Sequence, residues 1–129
     1  MTIGFWTASD SPAGAVTARS RADFVDVHPY PGVGLTFAQS MRDYGIDGPT
    51  VKPVLIGEMG AFRFAFGTAG EAAAGLVSWQ RQSCAYGIDG WLLWTWDTDE
   101  QPELWNALSG GGPIEQTLAP KNRPDPCAK

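Results

Sequence analysis

The chain has 129 residues, 43% apolar and 18% charged, a composition that suits one globular domain with a buried core and excludes a disordered chain. Its net charge is -5 and its nine Lys and Arg residues are scattered, so no basic stripe exists to neutralise a phosphate backbone and nucleic acid is excluded as a partner. No run approaches the ~20 apolar residues that span a bilayer, and the opening MTIGFWTASD has neither the cationic nor the apolar part of an export signal, so no membrane association or export is expected of the chain as written.

Taken in order, Thr2 to Trp6 is a short β-prone run, and Ser11 to Ala22 has no clear period. Phe24 to Tyr30 alternates as a strand. Thr36 to Tyr44 reads as a helix that stops before Gly45, and Val54 to Gly57 reads as a buried strand. Thr68 to Tyr86 is the longest predicted helix: Thr68 and Glu71 have capping-box spacing, and Gly87 stands where a helix ends. Ala73, Leu76, Val77 and Cys84 form its sheet-facing stripe. Gly90 to Trp96 is a strand rich in aromatics. Pro102 to Leu108 is predicted as a short helix, and residues 108–129, with SGGGP and NRPDP, as a Gly/Pro-rich loop and tail. Cys84 and Cys127 are able to pair, closing a loop that the chain-entropy model values at on the order of 4 kcal/mol, and are equally compatible with two free thiols.

About four strands alternating with helices imply βαβ units, a parallel sheet and an α/β fold in a single domain, residues 1–129. Ligands of such folds gather at the C-terminal ends of the strands. In DFVDVHPYPG, alternation places Phe24, Asp26, His28 and Tyr30 on one face and Val25, Val27 and Pro29 on the other. In PVLIGE the same parity groups Val54, Ile56 and Glu58; in GWLLWTWDTDE it groups Leu92, Trp94 and Trp96, with Asp97 next.

A pocket of one His, one Tyr, one Glu and two Trp suits a sugar. Indole faces stack on pyranose C–H groups, imidazole and phenol hydrogen-bond hydroxyls, and a carboxylate stabilises an oxocarbenium-like state. Singly, each residue has an ordinary explanation: Glu58 as a solvated loop carboxylate, His28 and Tyr30 as turn anchors, Trp94 and Trp96 as core, and Asp97, Asp99 and Glu100 as a solvated acidic run. Their coincidence at successive strand ends carries the functional reading. No Gly-rich phosphate loop follows a strand, so a phosphorylated ligand is disfavoured, and neither cofactor nor metal is expected.

The series VDVHPYP, KPVLIGEMGAF and GWLLWTWD resembles strands six, seven and eight of the cellulase-like (β/α)8-barrel glycoside hydrolases of family 5 and its clan, and ELWNAL resembles the end of such barrels. The resemblance covers the chain from about Asp23 onward. It implies a partial, half TIM barrel, strands five to eight, acting on a β-linked polysaccharide or oligosaccharide. By the same resemblance, Glu58 is the nucleophile of a retaining enzyme, His28 and Tyr30 border it, Trp94 is the sugar platform, and Trp96 is a second platform. Full-length relatives are expected to be extracellular. The family's acid/base Glu stands in an Asn-Glu motif, and no Asn-Glu pair occurs among these 129 residues. A complete barrel takes ~250 residues. The expectation is therefore a hydrolase fragment inactive alone, completed by an N-terminal half or a homodimer. The alternative is a non-catalytic carbohydrate-binding or structural half barrel.

Overall fold

The computed structural model describes residues 21–96 and 101–127 and, for residues 2–5, the backbone. Its strands are β1 (Thr2–Phe5), β2 (Phe24–Val27), β3 (Val54–Met59), β4 (Ala61–Phe62), β5 (Ile88–Leu93) and β6 (Leu104–Trp105), and its α-helices are α1 (Phe37–Asp43), α2 (Ala69–Ser83) and α3 (Pro113–Leu118). The class is mixed α/β. β1, β2, β3 and β5 form one parallel sheet in that spatial order, and β4 and β6 form a small antiparallel pair. No helix among the described residues is long and apolar enough to cross a membrane.

Alternation along the parallel strands sends Val25, Val27, Val54, Ile56 and Ile88 to one face, where they join Phe37 and Met41 of α1 and Ala72, Ala73 and Leu76 of α2 in a single core. Full burial of each large side chain stabilises by roughly 1.5–3 kcal/mol before ordering costs are subtracted. Phe37 packs edge-to-face with Trp79 and with Tyr86. The other face carries Asp26, Leu55 and Gly57 and, past a register shift that sets Gly90 rather than Asp89 opposite Leu55, Gly90 and Leu92, the last 64% exposed.

Both main helices start on a capping box, Thr36 with Gln39 for α1 and Thr68 with Glu71 for α2. The α2 stripe is Ala69, Ala72, Ala73, Leu76, Trp79, Gln80 and Ser83 rather than one running through Val77. After Ser83 the helix tightens into a 3-10 turn, Cys84–Tyr86, which Gly87 ends with φ +67°, a left-handed conformation that suits glycine. Cys84 and Cys127 form a disulfide.

Several expected boundaries move. β2 stops at Val27, because the chain then enters a buried Pro29, which has no N–H for the ladder. β5 runs from Ile88 to Leu93, and its pairing with β3 ends at Met59 opposite Leu93. The helix expected over Pro102 to Leu108 is absent: Leu104 and Trp105 pair with Phe62 and Ala61, and the Asn106 carboxamide accepts from the N–H of Leu108 in a turn. Conversely, the segment read as loop contains a 3-10 turn, Ser109–Gly111, and α3, whose Ile114 is fully buried.

The parity expected for Glu58 is also corrected. Val54 and Ile56 point to the helix-side core, so strict alternation would send Glu58 there too. Instead the buried positions of β3 run 54, 56 and 59, and the register against β5 shifts between Ile56 and Met59. This irregularity frees Glu58 from the core face.

Candidate functional site

Residues at or just past the ends of β2, β3 and β5 meet around one carboxylate. Tyr30 donates its hydroxyl proton to Glu58 Oε2 over 3.2 Å, and His28 Nδ1 lies 3.6 Å from the same oxygen. The other ring nitrogen, His28 Nε2, lies 3.4 Å from Asp26 Oδ1. Asp26, His28 and Glu58 therefore stand in a row, with the imidazole between two carboxylates. Burial, the nearby Glu58 charge and the hydrogen bond to Glu58 all push the Tyr30 phenol well above its ordinary value. It remains a donor throughout the neutral range.

The glycine before Glu58 makes this packing possible. A Cβ at Gly57 would lie 2.0 Å from Asp26 Oδ1, so only glycine lets the aspartate occupy its place. Gly60 plays a similar part, since a Cβ there would lie 2.3 Å from the Trp94 carbonyl oxygen and 2.7 Å from the Tyr30 ring. The tight approach of β3 to the Trp94 backbone is reinforced by the Trp94 N–H, which donates to the Met59 carbonyl.

Tyr30 and Glu58 open into a cleft of about 150 Å³ whose remaining lining is Phe62, Trp94, Gln101, Glu103 and Leu104. The Trp94 indole N–H donates to Gln101 Oε1 over 2.7 Å, which fixes the ring while leaving the side chain 37% exposed. The Trp94–Thr95 peptide bond is cis. The β4–β6 pair delivers Phe62, Glu103 and Leu104: the Arg63 N–H donates to the Glu103 carbonyl, and the Arg63 guanidinium lies 4.0 Å from the centroid of the Trp105 ring. Tyr30 packs on Phe62, which stacks on Phe64.

The structure thus gathers four of the residues singled out from sequence, His28, Tyr30, Glu58 and Trp94. Trp96 is 59% exposed and does not line the cleft. Asp97, Asp99 and Glu100 lie outside the described residues. Phe62, Gln101 and Glu103 escaped the sequence reading because they reach the cleft through the β4–β6 pairing, for which no local pattern stands in the chain. Asp26 was legible as a member of the polar face, but its partner only becomes visible in three dimensions. No protein-family model, curated protein or solved structure matches the chain.

Proposed function

We propose that the chain is the second half of a (β/α)8 glycoside hydrolase barrel and that Glu58 is the nucleophile of a retaining reaction on a β-linked glycan. The observation that carries this reading is the placement of Glu58 between the Tyr30 hydroxyl and the His28 imidazole, in a cleft that also holds the Trp94 indole. The parallel order, in which each main strand lies beside its predecessor, supports the half barrel because a closed barrel is built by the same step repeated.

In the proposed reaction the pyranose stacks on Trp94 and a Glu58 oxygen attacks the anomeric carbon. The bond to the leaving oxygen breaks and that oxygen departs with the electron pair. Water later cleaves the glycosyl ester and restores the carboxylate. The Tyr30 hydrogen bond holds the attacking group in line. A natural sugar leaving group needs a proton, and the loss of general-acid assistance typically costs about 10²–10⁴-fold in rate. The isolated chain is therefore expected to turn over aryl β-glycosides, whose leaving groups need little protonation, and not natural β-glucans. Glu58→Gln abolishes that turnover if the reading holds. Turnover that survives Glu58→Gln overturns it.

A second reading is favoured by the Trp94–Gln101 hydrogen bond alone: an indole fixed at a cleft mouth binds sugar whether or not chemistry follows. In that case the chain binds β-oligosaccharides with no turnover of any aryl glycoside.

A further inference from the structure

We infer that Asp26 is a positioning residue that holds the His28 ring with Nδ1 turned toward Glu58. Its catalytic meaning rests on the reading of Glu58 above, but the positioning itself does not. His28 has carboxylate oxygens on both sides: Asp26 Oδ1 is 3.4 Å from Nε2 and Glu58 Oε2 is 3.6 Å from Nδ1. A neutral imidazole carries a single N–H and so can donate to only one of the two. Asp26 is the nearer, and it stands in β2 two residues before His28, which lies just past the end of that strand, so its reach to Nε2 is set by the backbone at the β2 end.

Two observations mark this as a built arrangement rather than a passing contact. The Asp26 and His28 side chains are only 19% and 15% exposed, and Asp26 Oδ1 and His28 Nδ1 are buried without a hydrogen-bond partner among the described residues. Buried polar atoms are costly to leave unmade, so Asp26 Oδ1 is poised to tighten onto the Nε2–H that faces it. Second, the space for the Asp26 carboxylate exists because residue 57 is glycine. The titratable groups facing His28 are Asp26 from β2 and Glu58 from β3, and Tyr30 reaches the scene through Glu58. With Nε2 held by Asp26, rotation of the ring away from Glu58 is opposed, and the oxygen that Tyr30 also touches keeps its imidazole neighbour.

His28 is the one histidine among these 129 residues, so its ring nitrogens are read without ambiguity by ¹⁵N NMR of this chain. The wild type is expected to show an Nε2–H signal protected from exchange with water. Asp26→Asn, whose amide oxygen still accepts, and Glu58→Gln, which leaves Asp26 in place, should both keep that signal. Asp26→Ala should lose it, with the two ring nitrogens averaging toward a mixed tautomer. Asp26→Leu, close to Asp in shape and without an acceptor, repeats the test if the alanine variant fails to fold. Retention of the protected Nε2–H in a folded Asp26→Ala or Asp26→Leu variant overturns the inference. So does its loss in Glu58→Gln, since Glu58 would then be what holds the ring. Failure of Glu58 to react with an aryl glycoside would sink the proposed function and leave these signals unchanged.

Discussion

The Tyr30 hydroxyl and the His28 imidazole converge on one atom, Oε2 of Glu58, at 3.2 and 3.6 Å. Tyr30 is the hydrogen-bond donor of the two. A bond from a phenol to a charged carboxylate contributes about 1.5–3 kcal/mol, and its loss leaves a half-buried oxygen short of a donor. Tyr30→Phe should lower unfolding stability by about that amount in urea titration at neutral pH.

The same bond gives a pH dependence. The unfolded phenol titrates near 10.0, whereas the native one is held well above it by burial and by Glu58. Above pH 10 the unfolded chain has lost a proton that the native protein keeps, so stability is whole below pH 10 and falls as pH rises toward the native value. Alkaline urea midpoints should decline in the wild type, and in Tyr30→Phe the part of the decline due to this residue should vanish.

Gly57→Ala puts a methyl group 2.0 Å from Asp26 Oδ1. Forcing extra volume into a packed site typically costs about 1–3 kcal/mol. The variant should unfold at lower urea than wild type, and Asp26→Ala in the same chain should recover part of the loss by making room.

How much of this arrangement was readable from sequence depends on how local each cause is. The Thr68–Glu71 cap and the Gly87 stop are written within a few residues, and both stand where expected. His28, Tyr30, Glu58 and Trp94 were found because they stand at or just past strand ends, which needs only the period of the chain. The face of Glu58 was misread because the register shift that turns it is set by β5, a partner about 35 residues away. Leu104 and Trp105 were read as helical for the same kind of reason, since pairing with Phe62 and Ala61 outweighs local preference.

The Cys84–Cys127 bond ties the end of α2 to the C-terminal segment across 43 residues. Disulfides over loops of this size stabilise by about 2–4 kcal/mol. Thermal unfolding with and without a reductant should show a lower midpoint in the reduced protein, and Cys84→Ser with Cys127→Ser should match the reduced value and no longer respond to reductant.

The face of the sheet opposite the helices presents Leu92, 64% exposed. Parallel sheets are ordinarily covered on both faces. The chain should self-associate or bind an apolar-surface dye, and Leu92→Lys should weaken either behaviour. A sedimentation profile of a clean monomer that takes up no dye would count against the half-barrel reading.

The role of Glu58 is tested most directly by trapping it. An aryl 2-deoxy-2-fluoro-β-glycoside reacts through its good leaving group and then hydrolyses slowly, because the electron-withdrawing fluorine destabilises the oxocarbenium-like state of both steps. Intact mass and peptide mapping of the full chain, after incubation with the glucoside and the mannoside, should show one added sugar on the peptide that contains Glu58 and none in Glu58→Gln. No adduct with either sugar, or an adduct on any other residue, would contradict the assignment of Glu58 as the nucleophile.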